Sequence, residues 1–390
     1  MKKILKNILP EISLITVISV YLLVSFFWNK PALVAELDSL NSKFGLTSVQ
    51  PIGNDGDKLA DSLFHPDVLS ASIIKISRPQ KDMILQLKDA DTSDLSNIFL
   101  IRFRTEFSIE EIASAYSALD LVKFAEPDYA LSTESINSDS PALNQIPAQV
   151  SLSDKSNNSV NVALIDSGVD SGHKDLAGRI LKGWDFLDND NIPQDEYGHG
   201  THLAGIITKN PQASIIPIRM TDGKSGKLSN LIKSIKFAAD NNADIINLSL
   251  GLPNKSGILK EAIDYAVKKN ITVVAAAGNY NTDKEYYPAA YPNVISVGAL
   301  DKNGDKLFLS DYGKWVDYSV VAQDVYSTLP GNKYGYKTGT SQAAAILTAK
   351  IASLIGKNQI SDSLSLESQL QDISSVIKKG DYAGLLGRKF

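Results

Sequence analysis

The 390-residue sequence predicts an α/β protein: a doubly wound, mostly parallel sheet preceded by a small α+β module and an N-terminal hydrophobic helix. Three observations predict it. From residue 160 onward, short apolar runs (160–165, 214–218, 244–250, 271–277 and 294–297) alternate with amphipathic stretches of helical length. That order is what parallel strands with crossover helices require. Residues 32–131 instead carry a few elements in a different order, and residues 12–28 form one uncharged, largely apolar run behind Lys2, Lys3 and Lys6.

The first element is an export signal. Residues 12–28 span roughly 25 Å as a helix, slightly short of a bilayer core. The flanking lysines predict a cytoplasmic N-terminus, with Trp28 and Lys30 at the opposite interface. Phe26, Phe27 and Trp28 close the run without a good small-residue cleavage site, which favours a signal anchor over a cleaved signal peptide. In either case the remainder is expected on the outer side of the membrane. The predicted divisions are residues 1–31 (signal anchor or peptide), 32–131 (α+β module), 132–143 (linker) and 144–390 (main domain).

In the module, Leu33, Leu37, Leu40 and Phe44 have helical spacing, and residues 97–104 alternate as a strand. Ser108 with Glu111 three residues later forms a capping box, followed by a helix with Ile112, Ala115 and Leu119 on its buried stripe. A strand over residues 121–124 follows. This order fits part of a ferredoxin-like unit, with its first strand hard to find before Ala32. Residues 132–140 and 154–159 are rich in Ser, Asn and Asp and read as linker or turn.

Composition narrows the chemistry. The chain has no Cys, so thiol catalysis, Cys-ligated metal and disulfides are excluded. Imidazole chemistry is confined to His65, His173, His199 and His202. Net charge is −5, with 13 basic and 19 acidic residues up to 143 and 26 and 25 beyond. Neither part is polybasic, so no nucleic-acid partner is expected.

Parallel sheets place function at the C-terminal ends of their strands. The first strand of the main domain ends in Asp166-Ser167-Gly168, well placed for a carboxylate that holds an imidazole, although the same tripeptide is a common turn. Gly198-His199-Gly200-Thr201-His202 opens a helix with close backbone approach around His199. No acidic residue lies between or just beyond the two histidines, so the zinc-protease pattern is missing, and His202 reads as structural. Asn279 follows a strand in Ala275-Ala276-Ala277-Gly278-Asn279. Gly339-Thr340-Ser341-Gln342 opens an Ala-rich helix whose N-terminal N–H groups face any developing oxyanion at Ser341. As separate signals, the Asn is a turn residue and the Ser a helix cap.

Together, and in the chain order Asp, His, Ser, these segments resemble the subtilisin-like serine proteases, the subtilase family. The resemblance runs from about Leu143 to the C-terminus. It extends to Asn247-Leu248-Ser249-Leu250-Gly251 and to Tyr291-Pro292-Asn293-Val294-Ile295-Ser296-Val297-Gly298. It implies a serine endopeptidase with Ser341 as nucleophile, His199 as general base, Asp166 as its orienting carboxylate and Asn279 as an oxyanion donor. Subtilisin itself has the same chain order and an oxyanion Asn. It further implies that Ser249, Leu250 and Gly251 pair with substrate backbone and that Ala276, Ala277 and Gly278 line the pocket for the residue before the cut. Those small residues imply room there for a sizeable apolar side chain. Gly226 and Leu228 form the opposite rim.

By the same resemblance, Phe124-Ala125-Glu126-Pro127-Asp128-Tyr129 is similar to the end of a subtilase propeptide that chaperones folding and fills the cleft until autocleavage. The cut is then expected between about Leu131 and Leu143. Asp185, Asp188, Asp190 and Gln194 place three carboxylates and an amide on one loop, oxygen ligands that suit calcium, and the run resembles a calcium loop of thermitase-like members. A solvated acidic turn is the alternative. Two residues depart from the family pattern: Ala345 stands where it usually has Pro, and Val321-Ala322-Gln323-Asp324 replaces a common Ala-Pro-Gly. Polypeptides are the expected substrates, the propeptide and the membrane the expected partners. The competitor from another class is a catalytically silent binding protein on the same fold, disfavoured because no triad member is missing.

Overall fold

The computed structural model describes residues 31–52, 79–88, 95, 97–132, 136–137, 159–357, 363–376 and 387–389. The predicted N-terminal helix lies outside them, as does His65. Among the described residues no helix is long and apolar enough to cross a membrane. They form two compact units, one up to Pro127 (Leu95 excepted) and one from Asp128 on.

The first unit begins with helix α1 (Pro31–Phe44) and strands β1 (Leu46–Pro51), β2 (Gln80–Leu87) and β3 (Ile98–Arg104). Helix α2 (Ile109–Ser117) and strand β4 (Val122–Pro127) complete it. The strands are antiparallel in the order β1-β3-β2-β4, so the β3–α2–β4 crossover straddles β2. The capping box is formed: Glu111 N–H donates to Ser108 Oγ, and Ser108 N–H donates to the Glu111 carboxylate at 2.8 Å. Tyr116 from α2 buries its ring on Phe44 and Phe103 and donates to Asn41 Oδ1 at 2.6 Å. The strand sought before Ala32 sits later in the chain. Gln80–Leu87 fills the sheet's centre, with its last five residues buried.

The second unit opens with two short strands, β5 (Ala130–Ser132) and β6 (Ile136–Asn137). Strand β7 (Val160–Asp166) starts the main sheet, followed by β8 (Trp184–Asp185), α3 (His199–Ile207), β9 (Ala213–Arg219) and β10 (Ser225–Lys227). Then come α4 (Leu228–Asp240), β11 (Ile245–Leu248), α5 (Gly257–Lys268), β12 (Thr272–Ala276) and β13 (Val294–Leu300). Strands β14 (Tyr318–Val321), β15 (Val325–Leu329) and β16 (Lys333–Thr338) lead into α6 (Thr340–Gly356). Helix α7 (Ser363–Ile373) and strands β17 (Ser375–Val376) and β18 (Arg388–Lys389) end the described chain.

Nine strands form one sheet in the order β17-β18-β14-β13-β12-β11-β7-β9-β8, parallel throughout except at the β17–β18 edge. Alternate side chains of a strand face opposite sides, and both sets are buried here. Val162 and Leu164 join α3 and α6 in one core, while Ala163, Ile165, Ile246 and Leu248 are equally buried. A sheet buried on both faces must be covered on both, which is the doubly wound arrangement. Strand order reverses beside β7, with β9 on one side and β11 on the other. Function is expected at the carboxyl ends there.

Candidate active site

Asp166 is the last residue of β7, and its neighbour Ser167 begins the turn that meets α3. Gly200, in the first turn of α3, packs directly on the backbone of Gly168, where any side chain would collide with the Gly168 carbonyl. That close approach brings His199 Nδ1 to 2.8 Å from Asp166 Oδ1, with both side chains fully buried. The same oxygen accepts the Ser167 N–H at 2.7 Å. Nδ1 faces an ionisable carboxylate, so it carries the proton and Nε2 is left with its lone pair. His199 Nε2 is buried and has no hydrogen-bond partner.

A residue absent from the sequence-based expectation holds this pair together. Asp195, 2% exposed, accepts hydrogen bonds from Ser167 Oγ, the N–H groups of Tyr197, Gly198 and Thr201, and Thr201 Oγ1. Ser167 Oγ in turn accepts the Gly200 N–H at 3.0 Å. A carboxylate at a helix N-terminus meets N–H groups that have no partner within the helix. Here it also ties that helix to the end of β7. Lys337 supplies buried positive charge nearby. Burial pushes its ammonium pKa down, and the Asp166 and Asp195 carboxylates oppose that shift.

His202 donates from Nε2 to the carbonyls of Val325 and Gly335 at 3.1 and 3.3 Å. Burial first, then the nearby Lys337 and His199, push its pKa down to about 3. It is a neutral structural residue that seats α3 on the β15–β16 hairpin. His173 caps the turn at Lys174–Leu176 and bonds the Lys333 carbonyl.

Ser341 occupies the second position of α6, where the first-turn N–H groups point out of the helix. Its Oγ donates to the Ser249 carbonyl at 3.5 Å, and no hydrogen bond joins it to His199. Such contacts are commonly long in unliganded sites and tighten with substrate. Ser249 Oγ donates to the Ser341 carbonyl at 3.4 Å, and Asn247, bonded to both Ser249 and Thr348, links the two elements from beneath. Ala345 is fully buried within α6, and the Gly339 N–H donates to the Ala322 carbonyl. Helix and facing loop are thus joined without the prolines expected from the family pattern.

Asn279 is oriented by Thr340. The Thr340 N–H and Oγ1 both donate at 3.0 Å to one atom of the Asn279 amide, and an N–H donor requires that atom to be the oxygen. The amide nitrogen is therefore the other end. Asp311 sets the loop behind it. Its N–H donates to the Gly278 carbonyl, and its Oδ1 accepts from Tyr280 N–H and Thr282 N–H. Asp311 Oδ2 is buried without a partner, and burial pushes the carboxyl pKa up to about 6.

A pocket beside Ser341 is lined by Ser249, Leu250, Ala276, Gly278, Asn279, Tyr280, Tyr286 and Thr340. This differs from the roomy pocket expected from the small residues at 276–278, because two tyrosines from the following loop share the space. On the far rim, β10 pairs antiparallel with β5, Gly226 opposite Leu131. The Leu228 N–H donates to the Tyr129 carbonyl, and Asp128 accepts the Ser229 N–H and hydroxyl at 2.8 and 2.9 Å. Strand β6 pairs with Lys337 and Thr338, just before Ser341.

The calcium expectation does not fit this arrangement. Asp185 Oδ2 and Asp188 Oδ2 lie 2.6 and 2.7 Å from the Arg219 guanidinium. Asp185 Oδ1 accepts from Leu187 and Asp188 N–H, and Asp190 Oδ1 from Ile192 N–H. Among the described residues no three His, Cys, Asp or Glu side chains converge as a metal site. An arginine already pairs with two of the carboxylates, and Asp185, Asp188 and Asp190 do not converge as a cation site.

A parallel sheet with Asp, His and Ser brought to its carboxyl edge defines a serine hydrolase of the α/β kind. Comparison with known proteins narrows this. The profile of the subtilase family matches residues 157–378. The chain is 38% identical over 291 residues to the thermophilic serine proteinase of Bacillus sp. strain AK1, covering 69% of this chain and 72% of that protein. It is 43% identical over 194 residues to thermitase of Thermoactinomyces vulgaris, covering 47% and 70%. The crystal structure of a cold-adapted subtilisin-like serine proteinase superposes with a TM-score of 0.56 at 29% identity, over 59% of this chain and 87% of that one. The chain belongs to the subtilase family of serine proteases.

Proposed function

We propose that the protein is an endopeptidase that cleaves polypeptides through an acyl-enzyme on Ser341. The observation that carries this is the 2.8 Å contact between Asp166 and His199 Nδ1, which leaves Nε2 as the basic nitrogen. Ser341 Oγ attacks the scissile carbonyl as His199 Nε2 takes its proton, and Asp166 stabilises the imidazolium. The oxyanion is received by the Ser341 N–H at the start of α6 and by the Asn279 amide nitrogen. The C–N bond then breaks, and the proton passes from His199 to the departing amine. Water, deprotonated by His199 in turn, attacks the ester and releases the new carboxylate and Ser341. Ser249, Leu250 and Gly251 pair with the substrate backbone and, opposite Ala276, Ala277 and Gly278, bound the pocket for the residue before the cut, where Ser249, Leu250, Ala276 and Gly278 line it.

The reading includes synthesis as a self-processed zymogen. Residues 32–131 act as propeptide, and the pairing of β5 on β10 supports its end lying along the substrate rim. Lys2, Lys3 and Lys6 before the apolar run support display on the outer side of a membrane, anchored or released. The loop at 185–194 is read as a turn ion-paired on Arg219, which engages two of the carboxylates a calcium ion would use.

A fluorophosphonate probe tests the reading. It should label the mature protein on Ser341, and Ser341→Ala should abolish labelling and self-cleavage, with peptide hydrolysis lowered about 10⁶-fold as for the equivalent loss in subtilisin. Folded protein without labelling would return the chain to the silent-binding class.

A further inference from the structure

Strands β11 and β12 run side by side, and their pairing ends with Leu248 next to Ala275. Each continuation ends in a glycine, Gly251 on one wall and Gly278 on the other. Both glycines face the same ring. A methyl group placed on Gly251 would lie 2.5 Å from Cε1 of Tyr286, and one placed on Gly278 would lie 3.2 Å from its Cδ1. The Tyr286 ring therefore lies in the slot between the two walls, 7% exposed, with Tyr280 5.6 Å from it centroid to centroid.

The ring is anchored as well as placed. Leu252 and Tyr287 exchange two backbone hydrogen bonds, each 2.9 Å, so the residue after each partner of the contact is fastened to the other. Behind Gly278 stands the Asp311 carboxyl group, which removes depth on that side. Glycine walls would admit a flat apolar side chain, but here a side chain of the protein already lies against both of them.

We propose that Tyr286 is a specificity-determining residue that fills the pocket for the residue preceding the cleaved bond, so that small side chains such as Gly, Ala and Ser are taken there and Leu and Phe are rejected. This rests on the assignment of the two walls under Proposed function. A large side chain would have to displace the ring and break the Leu252–Tyr287 bridge, whereas a methyl group needs neither.

The mature protein is first titrated with a fluorophosphonate, which separates the two levels of the argument. No labelling sinks the protease reading itself, whatever Tyr286 does. With the active fraction known, kcat/KM is measured on peptide anilides that differ only in the residue before the cut. The wild type should favour Ala over Phe by at least about tenfold, the scale on which apolar pockets discriminate by size. In Tyr286→Gly the Phe-to-Ala ratio should rise about 100-fold, mainly through KM for the Phe substrate, while Tyr286→Phe should keep the wild-type ratio. Fully labelled wild type that cleaves after Phe as well as after Ala would overturn the proposal. So would a fully labelled Tyr286→Gly with an unchanged ratio. If that variant does not fold, the wild-type profile and Tyr286→Phe decide.

Discussion

The two flanks of Ser341 are held in opposite ways. On the His199 side, Asp195 is a buried carboxylate with donors on both oxygens, and its network joins strand, turn and helix. On the Asn279 side, Asp311 is also buried, but both of its donors share Oδ1, and Oδ2 has none. A satisfied buried carboxylate rigidifies its surroundings, while an unsatisfied oxygen retains its desolvation cost. The flank that moves protons is thus the fully bonded one. The flank that receives the substrate carries a carboxylate oxygen without a hydrogen-bond partner behind its oxyanion loop.

The largest effect that would sharpen this contrast comes from Asn279→Ala. It should lower kcat about 10²–10³-fold with KM little changed, because the oxyanion bond forms fully only in the transition state. Equal losses in binding and turnover would break the contrast by making Asn279 a substrate-binding residue.

A smaller effect separates the two flanks by pH. The Asp311 pKa of about 6 lies above its ordinary 3.8, so the native state holds the proton more tightly. Its contribution to stability is present below pH 4 and is lost as pH rises through about 6. His202, with a native pKa of about 3 against an ordinary 6.5, acts with the opposite sign: its contribution is present above about 6.5 and is lost as pH falls toward 3. Asp311→Asn should therefore raise the melting temperature at pH 7 but not at pH 4, and leave a steeper rise of stability with pH in between. Lys306 faces Asp311, and its charge opposes the rise that burial gives the carboxyl pKa. Parallel wild-type and variant curves would mean that the Asp311 proton is not linked to folding.

The smallest expected effect is none. Because Arg219 already pairs with Asp185 and Asp188, any change in melting temperature on adding a calcium chelator should be the same in the wild type and in Asp188→Ala, and a drop that Asp188→Ala erases would place calcium in this loop.

The contrast also marks what could be read from sequence. Asp166, His199, Asn279 and Ser341 sit in short segments whose local form, strand end or helix start, is itself a sequence signal. The alternation of strands and helices was legible for the same reason. Asp195, Thr340, Asp311 and Tyr286 act through contacts between distant segments, and nothing in their immediate neighbours announces those partners. Asp195 lies four residues before His199, and that spacing at a helix start was the one available clue. Arg219, 29 residues beyond Asp190 at the end of β9, engages the acidic loop through one long side chain that the run itself does not announce. Gln80–Leu87 escaped notice because its buried half is continuous rather than alternating, as befits a strand at the centre of its sheet.

The Asp195 network has a consequence for motion. Its donors come from both the turn after β7 and the first turn of α3, so no hinge lies between the halves of the acid–base pair. The opposite flank is tied down too, but segment by segment: Tyr280 and Thr282 bond Asp311, Asn281 bonds the Leu309 carbonyl, and Thr340 bonds Asn279. A polypeptide must therefore fit itself to a cleft whose proton relay stays still.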